Sequence, residues 1–159
     1  MTDADKEDTQ SEGAIELLSF VSYRISLLHP KLNAQAAHIL GKLAGISLVQ
    51  WRIISLIDAF GPKISSSEII TRVSMDKGLF SRALKKLVED ERVISMTDPS
   101  DQRRMLLSLS PQGKALQETV IQTMRERQKH LMHDLTADER NALYSAFAKL
   151  ERNADRRDF

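Results

Sequence analysis

The spacing of apolar residues changes character several times along the 159-residue chain, and each change marks an element. From Ala14, the residues Ile15, Leu18, Val21, Ile25 and Leu28 recur every three or four positions, the period of a helix with one apolar face. Pro30 removes a backbone donor and is expected to interrupt that helix, leaving a second over roughly residues 31–44, closed by Gly45. "SLVQWRIISLIDAF" opens with Ser47 and has Gln50 three residues on, a capping-box spacing. Its expected buried stripe is Ile53, Leu56, Ile57 and Phe60. Gly61 and Pro62 stop it. Ser65 and Glu68 form another box at the start of about two helical turns. After a short break, the segment from Asp76 to Glu91 predicts a helix with Phe80, Ala83, Leu84, Leu87 and Val88 on one face. Two short helices joined by about three residues follow the helix-turn-helix plan.

The period then drops to two. "VISMT" and "MLLSL" predict paired strands joined by "DPSDQRR", residues 98–104, with Asp98 and Pro99 suited to the first two positions of a type I turn. Ser110 as cap and Pro111 at the first helical position start a helix reaching about His133. Thr136 and Glu139 form a further box, and Leu143, Phe147, Leu150 and Ala154 mark the last helix. The fold class is therefore mainly α with a small β-hairpin wing. A winged helix-turn-helix at residues 47–110 is flanked by helices at 13–46 and 111–159. Residues 1–12 have no apolar period and read as a disordered acidic leader.

Composition narrows the function classes. No apolar run approaches 18 residues and the first residues are polar and acidic, which argues against a membrane span or a secretory signal and for a cytoplasmic protein. With no cysteine, disulfides, thiolate metal sites and cysteine nucleophiles are excluded. The net charge of +1 conceals a division: the leader has five acids against Lys6, so the remainder is basic.

That basic charge is concentrated. Lys77, Arg82, Lys85 and Lys86 lie between positions 77 and 86 with no acid among them, and Ser81 shares a face with Lys77. The acids Glu89, Asp90 and Glu91 come only in the last turn, where the helix dipole disfavours them. A solvated helix face can also hold four cations. Behind a short partner helix, however, the pattern fits a recognition helix whose N-terminal part meets DNA base edges. The hairpin follows directly and brings Arg103 and Arg104 beside the same groove. An arginine on a thin turn suits the narrow minor groove. Asp101, two residues before Arg103, is expected to orient its guanidinium. The bland alternative is a solvated turn with an exposed ion pair.

Other candidate chemistry is thin. His130 and His133 share a helix face, but no third ligand adjoins them, so no metal or cofactor is expected. Trp51 and Met105 are expected in the core. Glycine-rich phosphate loops, nucleophile elbows and zinc-protease motifs are missing from the sequence, so no enzyme is expected.

From "SLVQWRIISLI" to "LSLSPQGKAL" the chain resembles the MarR family of winged helix-turn-helix regulators. The family's wing pattern is met by Asp101, Arg103, Leu109, Ser110 and Gly113, and "MDKGLFSRALKKL" is similar to its recognition helix. The resemblance implies a dimer on a pseudo-palindromic operator in double-stranded DNA, often released by small phenolic compounds. It implies Lys77, Ser81, Arg82 and Lys86 facing DNA and Arg103 at the wing tip. Gly78 and Leu79 depart from the small polar residue and threonine of many relatives, and Gln102 replaces a common arginine. Glu91 takes the usual glycine site, so its helix is expected to run on or to end without a left-handed cap.

A helix of about 23 residues spans roughly 35 Å, more than a small winged-helix domain covers. Val120, Met124 and Leu131 are therefore expected to be buried with the outer helices of a second copy, rather than in an intramolecular three-helix cap. The combined expectation is a homodimeric transcriptional regulator, a repressor responsive to a small aromatic effector whose binding residues are unassigned. The rivals are a winged-helix module docking an acidic protein and, more remotely, a small helical enzyme or binding protein.

Overall fold

The computed structural model describes residues 16–73 and 75–156, so the leader at 1–12 lies outside the described residues. The elements follow in the order α1 (Val21–Ala44), α2 (Leu48–Phe60), β1 (Ile64–Ser65), α3 (Ser66–Val73), α4 (Lys77–Glu89), β2 (Val93–Asp98), β3 (Asp101–Leu109), α5 (Pro111–Leu131) and α6 (Ala137–Ala154). Two compact units divide the chain, Met1–Val120 and Ile121–Phe159.

Pro30 lies inside α1 and does not end it. The missing amide removes one bond, while the other turns of a 24-residue helix keep theirs. The interruption falls instead at Phe20, before which residues 16–19 are helical. Gly45 ends α1 at φ 61°, donating to the Gly41 carbonyl at 3.1 Å. In the next cap, Gln50 N–H donates to Ser47 Oγ at 3.2 Å, and Ser47 N–H donates to Gln50 Oε1 at 2.8 Å. Together these two caps set the short joint between α1 and α2.

The core of the first unit is apolar. Ala36 and Leu40 of α1 are buried, as are Ile53, Ile54 and Ile57 of α2, Ile69 of α3, and Phe80 and Leu87 of α4. The buried stripe of α2 runs through Gln50, Ile53, Ile54 and Ile57, one step round from the expected line. Leu56 is half-buried and Phe60, at the helix end, is 51% exposed. Arg72 covers part of it, its guanidinium carbon 4.0 Å from the ring centroid. Val88 is likewise on the surface, one position beyond buried Leu87.

The wing is the edge of a three-stranded antiparallel sheet ordered β1-β3-β2, rather than a hairpin alone. Ile64 pairs with Leu107 and Ser65 with Leu106. The β2–β3 register runs evenly from Val93↔Leu109 to Thr97↔Met105 and then jumps to Asp98↔Asp101. Gln102, Arg103 and Arg104 are therefore left without partners on β2, an outward bulge that redirects side chains. Met105 beside it is exposed, not buried as expected.

In α5, Val120 and Met124 are buried, whereas Leu131 is 42% exposed. The Thr136–Glu139 box starts α6, with Glu139 N–H donating to Thr136 Oγ1 at 3.3 Å and Thr136 N–H donating to Glu139 Oε2 at 2.7 Å. No residue of α6 is buried: Leu143, Phe147 and Leu150 face outward.

Candidate nucleic-acid interface

Asp76 caps α4, accepting the Leu79 amide at 2.9 Å on Oδ1. Gly78 follows in the first turn, and a β-carbon there would come 3.1 Å from Asp76 Oδ1 and 3.4 Å from Arg82 Nη1. The missing side chain thus leaves room for the Arg82 guanidinium to lie back over the first turn. Phe80 and Leu87 fix the inner face in the core, which turns Lys77, Ser81, Arg82, Lys85 and Lys86 outward.

These cations are not equivalent. Lys86 Nζ donates to Asp90 Oδ1 at 2.6 Å, and that bond holds the ammonium's pKa above its usual value. Lys85 Nζ lies 3.8 Å from Glu89 Oε1. Glu89 and Asp90 thus have local partners one turn back. Among the described residues no carboxylate forms an ion pair with Lys77 or Arg82.

The end of α4 corrects the expectation at Glu91, which adopts the left-handed conformation itself at φ 54°. Its N–H donates to the Val88 carbonyl at 3.0 Å and that of Arg92 to the Leu87 carbonyl at 2.9 Å. This bond pair is the Schellman pattern usually built on glycine. The next residues lock it to α5. Ser110 Oγ donates to the Glu91 carbonyl at 2.6 Å and accepts the Gly113 amide at 3.0 Å. Ser110 N–H donates to the Arg92 carbonyl at 3.2 Å. Helix α4 therefore ends in a hydrogen-bonded joint with the start of α5.

At the wing tip, Asp98 Oδ1 accepts from Ser100 Oγ at 2.6 Å and Ser100 N–H at 2.9 Å, contacts that lower the Asp98 pKa. Asp101 orients the backbone of Arg103, not its guanidinium: Oδ1 accepts the Arg103 amide at 3.0 Å. Two residues away, that amide is the nearest donor a short carboxylate meets. Arg103 is exposed, and none of the described acids forms an ion pair with it. Arg104 has an acidic neighbour, Nη2 lying 3.9 Å from Glu68 Oε2 of α3.

Glu68 was legible only as a helix cap, because its approach to Arg104 spans 36 positions and leaves no local pattern. Trp51 is half-buried, with its Nε1 buried and without a hydrogen-bond partner. His133 Nδ1 lies 2.9 Å from Asp134 Oδ1, and among the described residues no three potential ligands cluster around a metal position. No single helix among them is long and apolar enough to cross a membrane.

A model of the MarR family matches residues 46–105, which cover α2, the helix-turn-helix and most of the wing. The chain is 27% identical over 109 residues to the HTH-type transcriptional regulator YdgJ of Bacillus subtilis, a match spanning 69% of this chain and 66% of that protein. Among solved structures it is similar to a MarR/EmrR family transcriptional regulator from Acinetobacter sp. ADP1. There the TM-score is 0.77 and the identity 27%, over 84% of this chain and 94% of the other. A mutant MarR from E. coli in complex with operator DNA gives a TM-score of 0.68 at 25% identity, over 80% of this chain and 93% of that one.

Proposed function

We propose that this MarR-family winged helix-turn-helix transcriptional regulator binds a pseudo-palindromic site in double-stranded DNA as a homodimer. Lys77, Ser81 and Arg82 meet base edges in the major groove, Lys85 and Lys86 face the flanking phosphates, and Arg103 enters the adjacent minor groove. One observation carries this reading. Lys77 and Arg82 on α4 and Arg103 on β3, elements separated only by β2, all face solvent, and none of the described acids forms an ion pair with them.

Dimerisation is supported by apolar residues exposed at helical spacing, Val21, Ile25 and Leu28 in α1 and Leu143, Phe147 and Leu150 in α6. In the repressor reading, the bound dimer blocks transcription until a small aromatic effector changes the spacing of its two recognition helices. Both half-sites then weaken together.

Selection of bound duplexes from a random pool, followed by a salt titration on the winner, tests the reading. A dimer by light scattering and an affinity that falls steeply with salt are expected. A stable monomer, or binding indifferent to salt, favours the protein-docking alternative.

A further inference from the structure

We propose that Arg104, although cationic and adjacent to Arg103, is a positioning residue. It braces the wing against α3 through Glu68 and leaves Arg103 alone to enter the minor groove. The inference rests on the DNA-binding reading above.

Arg103 and Arg104 both lie in the stretch of β3 that the register jump leaves unpaired, where a bulge aims neighbouring side chains differently. Here the division is visible. Arg103 faces solvent and none of the described acids forms an ion pair with it, whereas Arg104 Nη2 lies 3.9 Å from Glu68 Oε2.

Glu68 is a fixed anchor. Its Oε2 accepts the Ser65 amide at 3.0 Å and the Ser65 hydroxyl at 2.5 Å. Ser65 is itself buried in β1 and pairs with Leu106, two residues along β3 from Arg104. The contact therefore closes a ring from Arg104 of β3 to Glu68 of α3, to Ser65 of β1, and back to β3. The ring lies at the place where pairing with β2 fails.

A second carboxylate reinforces the assignment. Asp98 of β2, held by Ser100, also feels the charge of Arg104. Exposed ion pairs contribute little to stability, so the consequence of this one is geometric.

The test uses the selected duplex with A·T-rich or G·C-rich flanks, titrated with full-length protein over a salt series. Removing a cation that touches phosphate lowers the slope of log K against log salt by about 0.9 per site. Arg104→Gln is expected to keep the wild-type slope and thermal midpoint but to lose the preference for A·T flanks, and Arg104→Lys to restore it. Glu68→Gln keeps a group that accepts from Ser65 and removes the charge facing Arg104. It is expected to lose the same preference, although it changes the net charge in the opposite direction.

A slope reduced in Arg104→Gln as in Arg103→Gln, or a flank preference intact in both Arg104→Gln and Glu68→Gln, overturns the inference while DNA binding stands. Wild-type protein that binds no duplex overturns the DNA-binding reading and this inference together.

Discussion

A β-carbon on Gly113 would stand 2.0 Å from the carbonyl oxygen of Arg92. The same carbonyl accepts the Ser110 amide, so the first turn of α5 seats directly on the residue that follows the left-handed end of α4. The glycine is there because two backbone segments touch, and no side-chain adjustment relieves the overlap.

Gly113→Ala is therefore expected to destabilise the protein by about 1–3 kcal/mol, as overpacking does where backbone must move. Urea denaturation reads the loss. A midpoint equal to wild type would mean that the two segments are not in contact.

Glu91 gives the opposite sign. A residue with a β-carbon at φ 54° carries a cost that glycine lacks, partly offset by glycine's greater freedom in the unfolded chain. Glu91→Gly is expected to gain roughly 0.5–1 kcal/mol in the same assay. A loss of stability would show that the glutamate side chain makes a contact worth more than the strain.

On the DNA-binding reading, Arg82 is the α4 cation best placed to read sequence, with its guanidinium over Gly78 and no ion pair to any described acid. Arg82→Ala is expected to cost about 1–3 kcal/mol of affinity and to relax base preference at one position in each half-site. Lys86, bound to Asp90, is expected to act as a phosphate contact, and Lys86→Gln should lower the salt slope by about 0.9 per site. Selection with each variant separates the roles, since an Arg82→Ala protein with unchanged base preference would not be reading bases there.

Acid stability follows from the helix caps. Hydrogen bonds from Ser65 hold the Glu68 carboxyl below its usual range, the hydroxyl contributing most. The Thr136 amide, ahead of its hydroxyl, does the same for Glu139. A depressed folded-state pKa contributes stability that is present above the unfolded value and lost as pH falls through the folded one. Glu139→Gln should therefore flatten the decline in thermal midpoint below the ordinary carboxylate range and leave its pH dependence near neutrality unchanged. An acid limb identical to wild type would rule out that contribution.

Short-range features were legible in the sequence because their partners lie three or four residues apart. The Ser47–Gln50, Ser65–Glu68 and Thr136–Glu139 boxes and the Gly45 stop stand at the expected positions. The outward face of α4 was legible for the same reason, since Phe80 and Leu87 fix the inner one. Lys85–Glu89 and Lys86–Asp90 also have readable spacing, yet the acids drew attention only as segregated charge.

What escaped was set by distant parts of the chain. A two-residue strand at Ile64–Ser65 is too short to show a period and exists because β3 pairs with it. Helix α1 continues through Pro30, although a proline read locally marks a break. Glu91 turns left-handed because β2 must start at Val93 and α5 must seat on Arg92. The different surroundings of Arg103 and Arg104 depend on a register jump that composition does not encode.

The most direct test of the paired arrangement is to insert base pairs between the two halves of the selected site and measure affinity again. Recognition helices from two copies, one helical turn (roughly 34–36 Å) apart, require both half-sites on one face of the duplex. An insertion of five base pairs is predicted to reduce affinity to that of a single half-site. Affinity unchanged by the insertion would contradict a dimer that holds its two α4 helices in successive major grooves.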